Sequence, residues 1–306
     1  MGRTIRTPHA AAAVTRAARA TRATRATRAT RATRAAWTTR AVWAVCALVL
    51  AAGAGQALAR DLPADPLGSV MWRSMAERFM PEGEIVFDDR VRILAPFSAE
   101  NQFHVPITLD ATELDQDVIE IVAFADLNPI PLILRAVPHR AQPFLGFRLK
   151  LQQTSPVHVG VRTADGTWHV AGAVVDAMGG GCTAPAAAHD APDWMARLGE
   201  TRAVARSDLA GELRMTVQLR HPMDTGLAAG IPAFYLNDLS IEDDTGQPLI
   251  DLELYEPVSE NPTITLKPLA TGEASAYAVS ARDTEGNEYG FRVALPETAA
   301  SNGTEP

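Results

Sequence analysis

The chain has 306 residues, 36 acidic against 28 basic side chains, a formal charge of −8 and two cysteines. With 47% apolar residues it is long enough for one or two packed domains. Its acidic balance disfavours nucleic acid as a partner, and two cysteines exclude a disulfide-dense scaffold.

Residues 1–59 read as a leader. A basic opening containing the repeat TRATRATRATRATRA is followed by the apolar run AVWAVCALVLAAGAG (Ala41 to Gly55) and by Ala57-Leu58-Ala59, an A-x-A cleavage pattern. The run is about 15 residues, short of the roughly 20 that span a bilayer as a helix, so cleavage near Ala59 is favoured over a retained anchor and no membrane span is expected afterwards. Cleavage removes ten arginines and no acid, leaving 18 basic against 36 acidic residues, or −18 over 247 residues. Such a surface steers a protein toward basic partners. It also removes Cys46, so Cys182 becomes the sole thiol and no intramolecular disulfide can form.

The stretch ADPLGSVMWRSMAERFM (residues 64–80) places Val70, Met71, Met75 and Phe79 at helical spacing, and Pro81-Glu82-Gly83 ends it. A short N-terminal helix is predicted. From Glu84 the pattern changes to eight short runs, EIVF, VRILA, HVPITL, DVIEIVAF, PLILRAV, FRLKLQ, VHVGVR and TWHVAGAVV, separated by DD, NP, DG and Pro. These read as strands of a first domain, residues 64–182, which ends in GGGC. The Ala/Pro-rich residues 183–202 read as a linker. A second strand-rich domain, 203–296, contains ELRMTVQLR, FYLNDLSI, LIDLELY, TITLKPL, AYAVSARD and YGFRVAL, and a disordered tail, 297–306, is expected. The predicted class is all-β: two immunoglobulin-like β-sandwich domains joined by a Gly/Ala/Pro linker.

Little in the chain supports classical catalysis. His104, His158 and His169 stand in strand-like runs and His139, His189 and His221 in loops, with no ligand spacing and no second cysteine, so no metal and no cofactor is expected. There is no G-x-S-x-G nucleophile elbow. A Cys-His enzyme would need its thiol held rigidly against a base, whereas Gly179, Gly180 and Gly181 directly precede Cys182. The reading that follows is a water-exposed thiol on a flexible arm, serving as a handle for partner enzymes. A chance cysteine in a linker is the bland alternative.

The quoted segments resemble a known family. NQFHVPITL, NPIPLILRAVP and FRLKLQQTSPVHVGVRTADGTWHVAGAVVDAMGGGC are similar to SoxY, the sulfur-carrier subunit of sulfur oxidation. LRHPMDTGL, IPAFYLNDLSI, ENPTITLKP and ARDTEGNEYGFRV resemble SoxZ. The chain thus resembles a fused SoxYZ-like carrier of the kind associated with quinoprotein dehydrogenases. The resemblance implies a periplasmic, non-catalytic carrier of the thiosulfate-oxidation type. Cys182 would hold sulfur intermediates covalently, Gly179, Gly180 and Gly181 would form its arm, and sulfur-oxidising enzymes, c-type cytochromes or quinoprotein dehydrogenase components would be its partners. The alternative function is a non-catalytic accessory or assembly protein of a periplasmic quinoprotein (PQQ) dehydrogenase system. One departure stands out: the SoxY pattern places the cysteine in GGCGG at a free C-terminus, whereas GGGCTAP continues into a second domain, so the arm is tied at both ends. The HPMDTG segment (His221 to Gly226) reads as a strand end followed by a turn.

Overall fold

The structure is a computed structural model that describes residues 61–207, 212–269 and 274–295; the predicted leader and tail lie outside the described residues. In the first half β1 (Ile85–Phe87), β2 (Arg92–Leu94), β3 (Val105–Asp110), β4 (Val118–Ala125), β5 (Leu132–Val137), β7 (Ser155–Thr163) and β8 (Trp168–Val175) fall on seven of the eight predicted runs, whereas β6 (Ala141–Leu149) starts six residues before the run FRLKLQ and shares only its first three residues. The second half contains β9 (Thr201–Ser207), β10 (Leu213–Leu219), β11 (Asp224–Thr225), β12 (Ala233–Phe234), β13 (Leu236–Asp243), β14 (Pro248–Leu254), β15 (Thr263–Pro268), β16 (Ala276–Asp283) and β17 (Glu288–Ala294). The molecule is therefore mostly β, with one short helix near its N-terminus, α1 (Trp72–Phe79). No described helix is long and apolar enough to cross a membrane.

The strands build a nine-stranded sheet, β1-β8-β7-β4-β5-β14-β13-β16-β17, and a six-stranded sheet, β2-β3-β6-β15-β10-β9. Both sheets pass from the first half into the second. In the larger one β5 pairs with β14 antiparallel, Leu134 opposite Leu254 and Ala136 opposite Leu252. In the smaller one β6 pairs with β15, Gly146 opposite Thr265 and Leu145 opposite Leu266. Strand edges that each half would leave open are thus closed by the other half. One apolar core runs through both halves, from Ile107, Leu145 and Val159 to Met215, Ile241 and Leu266.

Helix α1 covers the outer face of the larger sheet. Trp72, Met75, Ala76 and Phe79 face Val122, Phe124, Trp168 and Val170 there. Strand β4 is consequently buried on both faces over Ile121–Ala125, with Ile121, Ala123 and Ala125 in the main core and Val122 and Phe124 under the helix, which is why its run reads as continuous rather than alternating. The predicted helical face is corrected at one position: Val70 lies before the helix and is 89% exposed, while Trp72 takes the buried place. The predicted linker is ordered, with two short 3-10 turns at Ala187–Asp190 and Met195–Arg197, and its last two residues already belong to β9.

Candidate functional site

The Gly179–Cys182 arm follows β8 and lies along residues 150–152, just past the end of β6. The Gly180 N–H donates to the Gln152 carbonyl at 3.2 Å and the Gly181 N–H to the Leu151 carbonyl at 3.1 Å. Residues 150–152 are themselves braced: Asn128 Nδ2 donates to the Lys150 carbonyl at 2.8 Å, and Asn128 Oδ1 accepts the Gln152 N–H at 2.9 Å. The glycines serve this close fit. Gly179 has φ +104°, in the left-handed region, and a Cβ built on Gly181 would stand 2.5 Å from the carbonyl oxygens of Gln102 and Leu151.

Cys182 is accordingly 1% exposed, which corrects the expectation of a water-exposed thiol: the missing side chains let the backbone pack down instead of releasing it. Its N–H donates to Gln152 Oε1 at 3.2 Å, and its Sγ lies 3.7 Å from the Lys150 carbonyl. Burial pushes the thiol up to about 11, with the nearby charge of Lys150 opposing that rise. A thiol so placed is protonated at neutral pH and a poor nucleophile.

The second half holds the other side of the arm. Thr225 Oγ1 donates to the Cys182 carbonyl at 2.6 Å. The side chain of Lys150, itself buried, donates to the carbonyl of Met223. Met223 has φ +53° and its N–H donates to His221 Nδ1 at 3.1 Å, so the HPM turn is fixed by its own histidine. Burial lowers His221 to about 4, although Asp283 Oδ2 stands 3.6 Å away. Asp224 meets His189 Nε2 at 2.9 Å, which anchors the linker beyond the arm, and the Ala187 N–H donates to Glu260 at 2.7 Å. The HPMDTG segment is therefore the clamp on the cysteine arm. In the sequence this segment shows only a strand end followed by a turn, and Lys150 carries no signal there.

Lys150 is lowered to about 8, first by burial, while Cys182, Asp224, Glu260 and Glu256 act in the opposite direction. A cavity of about 160 Å³ adjoins the arm, lined by Lys150, Gly181, His104, Ala184 and Glu260 among others. The remaining histidines are engaged elsewhere. His158 lies between Asp126 (2.8 Å) and Asp65 (3.2 Å), and His169 Nδ1 meets Asp88 at 2.7 Å. Among the described residues no group of three or more His, Cys, Asp or Glu is placed to hold a metal ion.

None of the curated proteins matches the chain. Among solved structures, that of the sulfur carrier protein SoxY from Chlorobium limicola f thiosulfatophilum is 22% identical, with 35% of this chain and 96% of that chain covered and a TM-score of 0.31. Sulfur oxidation protein SoxY matches as a family over residues 76–182, so its match ends on Cys182 itself, and Sulphur oxidation protein SoxZ matches over residues 202–293. With both families matched in that order along one polypeptide, the chain belongs to the SoxY–SoxZ sulfur-oxidation carriers as a fusion of the two.

Proposed function

We propose that this protein works in the periplasm as a covalent sulfur carrier, with Cys182 bearing the cargo and partner enzymes performing the chemistry. The observation that carries the reading is the position of Cys182: the only cysteine after the predicted leader ends the SoxY match and is clasped by Gln152 of one half and Thr225 of the other. Joining a thiol to thiosulfate as R–S–S–SO₃⁻ releases one proton and two electrons. An electron acceptor must therefore be among the partners, which fits c-type cytochromes or quinoprotein dehydrogenase components.

In the closed arrangement the thiol is protonated and covered, so loading requires the arm to lift as a loop anchored at both ends, breaking the Thr225 and Gln152 hydrogen bonds. The acidic mature surface favours basic partners. In cells oxidising reduced sulfur compounds, Cys182→Ala should abolish the oxidation that depends on this protein while leaving its abundance unchanged. Normal oxidation in that strain would contradict the reading. One observation favours a second reading, an accessory or assembly protein of a quinoprotein dehydrogenase system: a buried cysteine also serves as a small apolar packing group. On that reading Cys182→Ala behaves as wild type.

A further inference from the structure

Lys150 is an anomaly of composition and of placement. The chain contains only two lysines among its 28 basic residues, and Lys150 is the buried one, 5% exposed between Leu149 and Leu151. Buried ammonium groups are ordinarily paired with carboxylates. Among the described residues Lys150 forms no ion pair; its side chain donates to a neutral carbonyl, that of Met223. An ammonium has three donors, so donors remain beyond that bond.

Asp224, Glu260 and Glu256 act on it only through space, and the room beside it suits an anion. The adjoining cavity, about 160 Å³, has several times the ~15 Å³ that one water needs. His104 also lines it, and its Nδ1 is buried without a hydrogen-bond partner. The one carboxylate in the lining, Glu260, has both oxygens engaged, by the Ala187 N–H at 2.7 Å and by Asn261 Nδ2 at 3.1 Å. Gly181 and Ala184, on either side of Cys182 along the chain, form part of the same wall.

We propose that Lys150 is the charge partner of the loaded arm, its ammonium and the adjoining cavity receiving the anionic end of a sulfur-oxyanion adduct on Cys182. The proposal rests on the carrier reading and adds to it the residue that holds the anionic end of the cargo. Lys150 is a positioning residue in this account, since the bond-forming chemistry is left to partners. The loaded arm then closes more firmly than one bearing a neutral group. The compact lysine head suits this place better than an arginine fork, because it offers a point charge without a fixed planar geometry.

The test needs no partner enzyme. Purified protein without its leader is prepared with Cys182 free, carbamidomethylated by iodoacetamide, or converted by tetrathionate. In the last reaction the thiolate attacks an inner sulfur, forming R–S–S–SO₃⁻ as the central S–S bond breaks and thiosulfate leaves with the electron pair. In the wild type the anionic adduct should melt above the neutral one by about 4 °C, the shift expected of roughly one strong interaction in a chain of this size. In Lys150→Met that gap should vanish or invert, with the free-thiol form still folded because replacing a buried charge by a packed apolar group is commonly neutral. Lys150→Gln provides the same comparison should the Met variant fail to fold. An anionic form no more stable than the neutral one in the wild type, or a gap unchanged without Lys150, would overturn the proposal. A Lys150-dependent gap in a protein whose Cys182 never carries sulfur in cells would instead overturn the carrier reading and leave the pairing intact.

Discussion

His221 and Lys150 are buried basic groups that both hydrogen-bond the backbone of Met223, and their burial ties the arm's clamp to pH. Unfolded His221 takes up a proton near its ordinary 6.5, whereas in the folded chain burial holds it neutral down to about 4. The unfolded chain therefore binds more protons in that window, and stability falls as pH drops from about 6.5 toward about 4, by on the order of 3 kcal/mol. His158 works in the opposite direction, since Asp126 and Asp65 outweigh the lowering effect of burial and raise it. Comparing Wild type with His221→Gln isolates the first effect: urea unfolding should show a flatter decline between pH 6.5 and 4 for the variant, and parallel curves would contradict the assignment. At this scale the sequence marked Cys182 and Gly179–Gly181, because a lone thiol after three glycines is visible in one dimension. Lys150 stayed hidden inside FRLKLQ, where a charged residue reads as an outward strand position, and only the fold brings it to a thiol 32 residues away.

The arm is an element whose behaviour depends on backbone fit. A methyl group on Gly181 would press against two carbonyl oxygens that belong to backbone and cannot swing aside. Gly181→Ala should therefore lift the arm, costing about 1–3 kcal/mol as an overpacking change. Iodoacetamide should then alkylate Cys182 at least ten times faster than in the wild type, and an unchanged rate would show that the glycines do not set the closed state. The strands were legible wherever apolar residues alternate or run together, as in β4 and β7. Strand β9 was not, because TRAVARS is a mostly exposed edge strand whose formation reflects pairing with β10 more than any burial pattern. Val70 shows the converse error: helical spacing placed it on the apolar face, but the helix begins two residues later at Trp72.

At the scale of the whole molecule, the two halves identified by strand pattern and linker composition share both sheets and one core. That union was not legible, since the β5–β14 and β6–β15 seams are joined by backbone groups that no side-chain period reports. It also gives the fusion a physical sense: the cysteine arm ends one half, its clamp belongs to the other, and the chain that links them passes directly through the thiol. The central claim is that this thiol carries sulfur, and intact mass spectrometry of the protein recovered from cells oxidising reduced sulfur compounds tests it most directly. The account predicts adducts of sulfur-containing mass, removable by reductant and absent from Cys182→Ala; a thiol found unmodified throughout active oxidation would contradict it.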